Sequence, residues 1–169
     1  LNSVFVTTLS LLGSLVVCAM AGYVLARYEF RGRQVVFFGL ISTMMIPGFL
    51  GLIPLWFLIR NMGLLGSYAG LIPVYIAGSI PVSIFFLTAF FKTISYELEE
   101  AGTIDGCTNY GVFFRIVLPL AKSGLLTIGI FNFLGFWNEF TTALVFITQD
   151  SRKTLPLGIS DHCGRGPVH

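Results

Sequence analysis

Carboxylates stand out in this sequence because so little around them is charged. Glu97, Glu99, Glu100 and Asp105 fall within one short stretch, ELEEAGTIDG, and Glu139 stands alone in FLGFWNEF beside Trp137 and Asn138. A group of carboxylates on a surface accepts ion pairs and charge-assisted hydrogen bonds from a basic partner. Catalysis would need more: a nucleophile with its base, paired acids or a metal cluster. His162 and His169 both lie close to the chain's end, with Cys163 beside one of them, and no apolar run holds a His. The sequence also lacks a GxxxxGK phosphate loop, so neither ATP hydrolysis nor a bound metal is expected of it.

The elements that must position these groups are membrane helices. Of 169 residues, 55% are hydrophobic and 11% charged, a balance that a water-soluble domain does not have. Charges are absent from Leu1 to Ala26, Gln34 to Ile59 and Asn61 to Phe91, and Ser123 to Gln149 holds only Glu139. A bilayer crossing takes ~20 apolar residues, so these runs predict four spanning helices, at about 3–26, 34–59, 68–91 and 120–147. No run alternates in the manner of a barrel strand, which leaves the helix as the element that satisfies its own backbone in lipid. The first run is too long for a signal peptide, lacks a basic start and ends at Arg27 rather than at a small-residue cleavage site, so it reads as a retained span. The expected fold is all-α: a polytopic bundle in membrane lipid, with a surface helix-turn-helix over 92–119.

Basic residues set the orientation. Six of them, Arg27, Arg31, Arg33, Lys92, Arg115 and Lys122, fall on one side, against Arg60, Arg152, Lys153 and Arg165 on the other. The bias places the 92–119 loop in the cytoplasm. Scattered over short turns, these charges form no stripe, so nucleic acid is excluded as a partner. Cys18, Cys107 and Cys163 fall in three different compartments under this topology, which forbids a disulfide within the chain.

Within the second and third runs, Pro47, Pro54, Pro73 and Pro81 each remove a backbone donor, giving either ordinary helix kinks or points of movement. Small residues at Gly66, Gly70, Ala77, Gly78, Gly124, Gly129 and Gly135 suit close helix packing. In the 92–119 loop, Ser95 is the expected helix cap, and the acids occupy the first turns, where the helix dipole favours them. Ile94, Leu98, Ala101 and Ile104 are expected to form an apolar stripe, with Glu97 and Glu100 opposite. Gly106 is expected to close this helix in the left-handed conformation. A second piece starts near Thr108 or Asn109, with Val112, Phe113, Ile116 and Val117 on one face, and Pro119 redirects the chain. Such a pair suits a lipid interface in general, but interfacial helices favour Lys and Arg; an acidic knob better fits a basic groove on a protein.

An unpaired carboxylate in lipid costs ~2.5–3.5 kcal/mol even on the mild insertion scale, so Glu139 must face protein, water or headgroups. Two readings stand open: Trp137 as an interfacial anchor with Glu139 reaching outward, or a polar patch lining a transport path.

The pattern Glu100-Ala101, then Gly106, then Ile116, Leu118 and Pro119 resembles the EAA loop of the membrane subunits of binding-protein-dependent ABC importers. AGYVLARYEFRGR, MIPG, IPLWFLIRNMGLLGSYAGL and FLGFWNEF, in that order, resemble the carbohydrate-type branch that includes the maltose-transporter membrane subunits, over nearly all of Asn2 to Gly158. The resemblance implies a permease in the bacterial or archaeal inner membrane, working with ABC ATPase subunits, a second homologous permease and an external sugar-binding protein. ATP and Mg would sit on the ATPase, and this chain would need no cofactor. Its ATPase-coupling residues would be Glu97, Glu100, Ala101, Asp105, Gly106, Ile116, Leu118 and Pro119; a substrate path would run by Pro47, Trp137, Asn138 and Glu139. Gly102 and Cys107 stand where the family usually has Ala, and Ser123 where Pro often stands. The resemblance further implies a fragment of a six-span subunit, 1–158, followed by an atypical tail at 159–169. A membrane enzyme and a passive channel or scaffold subunit remain the rival classes, and the sugar itself is not legible.

Overall fold

The computed structural model describes residues 2–147, and every regular element in them is helical. Helix α1 (Asn2–Arg27) and helix α4 (Tyr68–Thr93) are each 26 residues long, uninterrupted and apolar enough to span a bilayer. They run in the same direction, from Phe5 beside Tyr68 to Tyr23 beside Phe91, and form the main packing of the bundle. Glycine makes the approach possible: a Cβ on Gly22 would lie 3.1 Å from that of Leu87, and one on Gly13 would meet Ile76 Cδ1 at 2.6 Å. Neither glycine was among those singled out from the sequence. Gly70 and Gly124 do pack as expected, against Leu64 and Phe90, whereas Gly78 and Gly135 face open space.

The second and fourth apolar runs are broken helices. Helix α2 (Arg33–Thr43) and helix α3 (Gly48–Asn61) meet at 102°, so the run 34–59 is two helices with a sharp break between them rather than one continuous helix. The cause is local: three residues after Met44 comes Pro47, which has no donor, sits in an extended conformation (φ −56°, ψ 125°) and caps α3. Pro54, Pro73 and Pro81 lie within helices that continue past them. Helix α5 (Glu97–Ile104) and helix α6 (Asn109–Val112) follow α4. A π-helical turn at Phe113–Val117 leads to the short helix α7 (Leu118–Leu120). Helix α8 (Lys122–Asn138) then departs at 73° to the segment Asn109–Leu120. Pro119 therefore lies inside α7 and the bend falls at Ala121; the π turn just before it widens the helix where the proline ring would otherwise clash. The fourth run also breaks at Glu139, after which helix α9 (Thr141–Phe146) begins.

Polar side chains tie the apolar helices together. Asn132 on α8 is buried and donates through Nδ2 to Ser83 Oγ on α4 at 3.0 Å and to Ser14 Oγ on α1 at 3.4 Å. Each interhelical bond of this kind is worth about 0.6–2 kcal/mol in a membrane.

Candidate functional site

The 92–119 loop is built as helix, reversal, helix. Thr108 caps α6, accepting from Gly111 N at 3.2 Å, which agrees with the sequence reading of that start. Gly106 has φ +86°, and the bonds Gly106 N to Thr103 O and Cys107 N to Gly102 O, both 3.0 Å, complete a Schellman turn. Val112, Phe113 and Val117 are buried and Ile116 is half-buried, so that face forms as expected. The cap of α5 does not: Tyr96 occupies the position in helical conformation with no side-chain bond, and Ser95 lies outside it.

The stripe on α5 is also different from its expected form. The buried residues of this helix are Glu99 and Gly102, while Leu98 is 46% exposed at the flank and Ile104 is 85% exposed on the same outward side as Glu97, Glu100 and Ala101. At 100° per residue Ile104 falls between Glu97 and Glu100 on the helix wheel, so acids and apolar groups share one face. Asp105 and Gly106 are exposed as well, Pro119 is exposed, and Ile116 and Leu118 are half-buried. The outcome is a knob with an apolar centre and an acidic rim.

Inward, Gly102 lets α5 lie close to the π turn, since a Cβ there would collide with Ile116 Cδ1. Glu99 receives two partners from α1. Arg27 Nε lies 2.6 Å from Glu99 Oε1, with side chains only 10% and 7% exposed, and the Tyr23 hydroxyl donates to Glu99 Oε2 at 2.8 Å. The first is an ion-pair approach without hydrogen-bond alignment. A second guanidinium nitrogen donates to Ile94 O at 2.7 Å. This pairing puts the Arg27–Arg33 turn and the 92–119 loop at the same end of the bundle, as the charge distribution predicts.

Elsewhere in the bundle, a cavity of about 640 Å³ opens between α3, α4 and α8. Phe49, Tyr75, Phe131 and Phe136 give it aromatic walls, and Ser79, Asn132, Glu139 and Thr142 bring polar groups. Tyr75 and Phe136 stack at 5.6 Å with planes 10° apart. Glu139 is half-buried; its Oε1 accepts from Thr142 N at 2.9 Å, capping α9, and its backbone carbonyl accepts from the Tyr75 hydroxyl at 3.4 Å. Of the four path residues named from sequence, Glu139 lines this cavity and Pro47 adjoins it through Gly48. Trp137 instead stacks on Phe133 at 5.7 Å, and exposed Asn138 donates to Leu134 O at 2.8 Å. Tyr75 and Asn132 were missed because single polar groups in an apolar run carry no spacing signal. Arg27 and Glu99 were missed as partners because 72 residues separate them, and no local periodicity joins them.

Residues 19–160 match the family described as "Binding-protein-dependent transport system inner membrane component". The chain belongs to this family. It is 38% identical over 160 residues to the diacetylchitobiose uptake system permease protein NgcG of Streptomyces coelicolor, covering 95% of this chain and 53% of that one. It is 33% identical over 164 residues to the trehalose transport system permease protein SugB of Mycobacterium tuberculosis, covering 97% and 60%. Among solved structures it superposes with a TM-score of 0.79 and 27% identity on a chain of a bacterial ABC transporter involved in the import of the acidic polysaccharide alginate, covering 94% of this chain and 55% of that one. The chain thus spans about half the length of the curated relatives it matches. As a permease it is an inner-membrane, helical transport component, and the resemblance read from its motifs holds.

Proposed function

We propose that this permease forms part of the membrane path of an ATP-driven importer for an oligosaccharide, and that a separate ATPase drives it through the 92–119 loop. The observation that carries the reading is the outward face of α5. Ile104 is exposed between Glu97 and Glu100, Leu98 is exposed at the flank of the same helix, Asp105 is exposed beside it, and a left-handed Gly106 fixes its end. An apolar centre with a charged rim is the anatomy of a protein interface, and its acid content opposes docking on an anionic lipid surface.

Relatives named for diacetylchitobiose, trehalose and arabinooligosaccharides support the substrate class. The cavity beside α8 suits it chemically: a sugar ring offers an apolar face to Tyr75, Phe131 or Phe136 and hydroxyls to Asn132, Ser79 and Glu139. An external binding protein would deliver the sugar, and a second homologous permease would complete the path. ATP and Mg would be bound by the ATPase. During the cycle, closure of the ATPase would pull on the loop, and the spans would repack about the break at Pro47 between inward-open and outward-open forms.

Reconstitution tests this reading. The full-length permease with its presumed ATPase, partner permease and binding protein should take up radiolabelled diacetylchitobiose or trehalose only with ATP. Uptake by the permease in vesicles without ATPase would favour a channel, and chemical conversion of the sugar would favour a membrane enzyme.

A further inference from the structure

The backbone of α5 packs against α6 and the π turn, whereas its link to α1 crosses through side chains. One turn of α1 supplies both: Tyr23 and Arg27, four residues apart, reach the two oxygens of Glu99. Arg27 also holds Ile94 O, the carbonyl that joins α4 to the loop, and Tyr96 lies 5.8 Å beneath its guanidinium. The Tyr23 ring contacts Phe91 at 5.8 Å and Phe113 at 4.8 Å. Thus three segments of the loop region converge on one turn of a span. Beside the pair lies a cavity of about 420 Å³, bordered by Tyr28, Glu100 and Asn109, which leaves room for the guanidinium to move.

Stability alone is a poor account of such an arrangement. A buried ion pair adds little net stability relative to apolar residues of the same volume, and α1 is already packed along α4. What the pair does supply is a stiff, directional contact between the buried face of α5 and the end of a span. We propose that Arg27 and Glu99, with Tyr23, are positioning residues that pass displacement of the docked loop into α1. This rests on the loop being the ATPase dock. Because Glu99 points away from the docking face, the joint can be broken with the dock intact.

The experiment uses the full-length permease in membranes with its ATPase and two readouts. Docking is read as a cross-link from Cys107 to the ATPase. Transmission is read as the change, on trapping with ATP and vanadate, in the rate at which a water-soluble maleimide labels a thiol placed in the path cavity by Gly78→Cys. Arg27→Met combined with Glu99→Leu removes both charges together, so that neither is left orphaned, and Tyr23→Phe removes only the hydroxyl bond. The expected result is that the combined variant keeps the cross-link and loses the nucleotide-dependent change in labelling, with Tyr23→Phe reducing it and Arg27→Lys retaining it. A combined variant that keeps both signals would overturn the proposal, as would loss of the change in Arg27→Lys. Loss of the cross-link in the combined variant would make the pair part of docking rather than transmission. Absence of the cross-link in the unaltered protein would instead overturn the docking reading itself.

Discussion

Glu99 and Glu100 are neighbours in sequence, about 100° apart on the helix, and only one of them is buried. Glu100 is exposed on the knob, whereas Glu99 is buried against Arg27 and Tyr23. Removing one partner of a buried pair leaves an uncompensated charge, at a cost of about 3–5 kcal/mol. Glu99→Gln should therefore lower the thermal midpoint in detergent markedly, and Glu100→Gln should leave it close to the parent while weakening association with the ATPase. Equal effects of the two changes on the midpoint would contradict this division. Asn132→Leu should cost about 0.6–2 kcal/mol for each lost interhelical bond, read by the same melt. These distinctions were hidden from the sequence, where four carboxylates in ten residues look alike; the burial of one of them is decided by Arg27 from another span. By contrast, the left-handed Gly106 and the Thr108 cap were legible, because glycine and threonine act on their own backbone.

Helices that begin and end by local rules were read well, and helices bent by tertiary packing were not. Composition alone located α1 and α4, since an uninterrupted apolar run has only one low-cost arrangement in lipid. The prolines marked where the run from Gln34 to Ile59 could kink but not which of them would turn it by 102°, nor that a π turn precedes Pro119, because proline permits a break without requiring one; Pro73 and Pro81 lie in the uninterrupted α4. Gly106→Val tests the reversal directly. A β-branched residue at φ +86° costs about 1–2 kcal/mol, and it should displace the knob, lowering uptake per ATP hydrolysed while leaving total hydrolysis less affected. Fully coupled uptake in that variant would remove the reversal from the mechanism. Gly102→Ala paired with Ile116→Val should act in the other direction, raising the helical stability of α5 by about 0.8–1.0 kcal/mol. Slower amide exchange over 97–104 would register the gain, and unchanged exchange would show that Gly102 is not the weak point.

Taken together, the knob, the ion pair and the aromatic cavity lie on one packed bundle, with the loop at one end and the cavity between α3, α4 and α8. In the importer we propose, these parts have to be connected, since energy would enter at the loop and work would be done at the path. The tail at 159–169, Arg152, Lys153, Cys163 and both histidines lie outside the described residues. Cys107, half-buried immediately after Gly106, is a native reporter at the edge of the knob. In membranes carrying the full-length permease and its presumed ATPase, a cross-linker applied to that thiol should join the two proteins, with a yield that changes when ATP is added. Free labelling of Cys107 from the cytoplasmic side with no cross-link in any nucleotide state would contradict docking of the loop, and with it the coupling of this permease to an ATPase by this route.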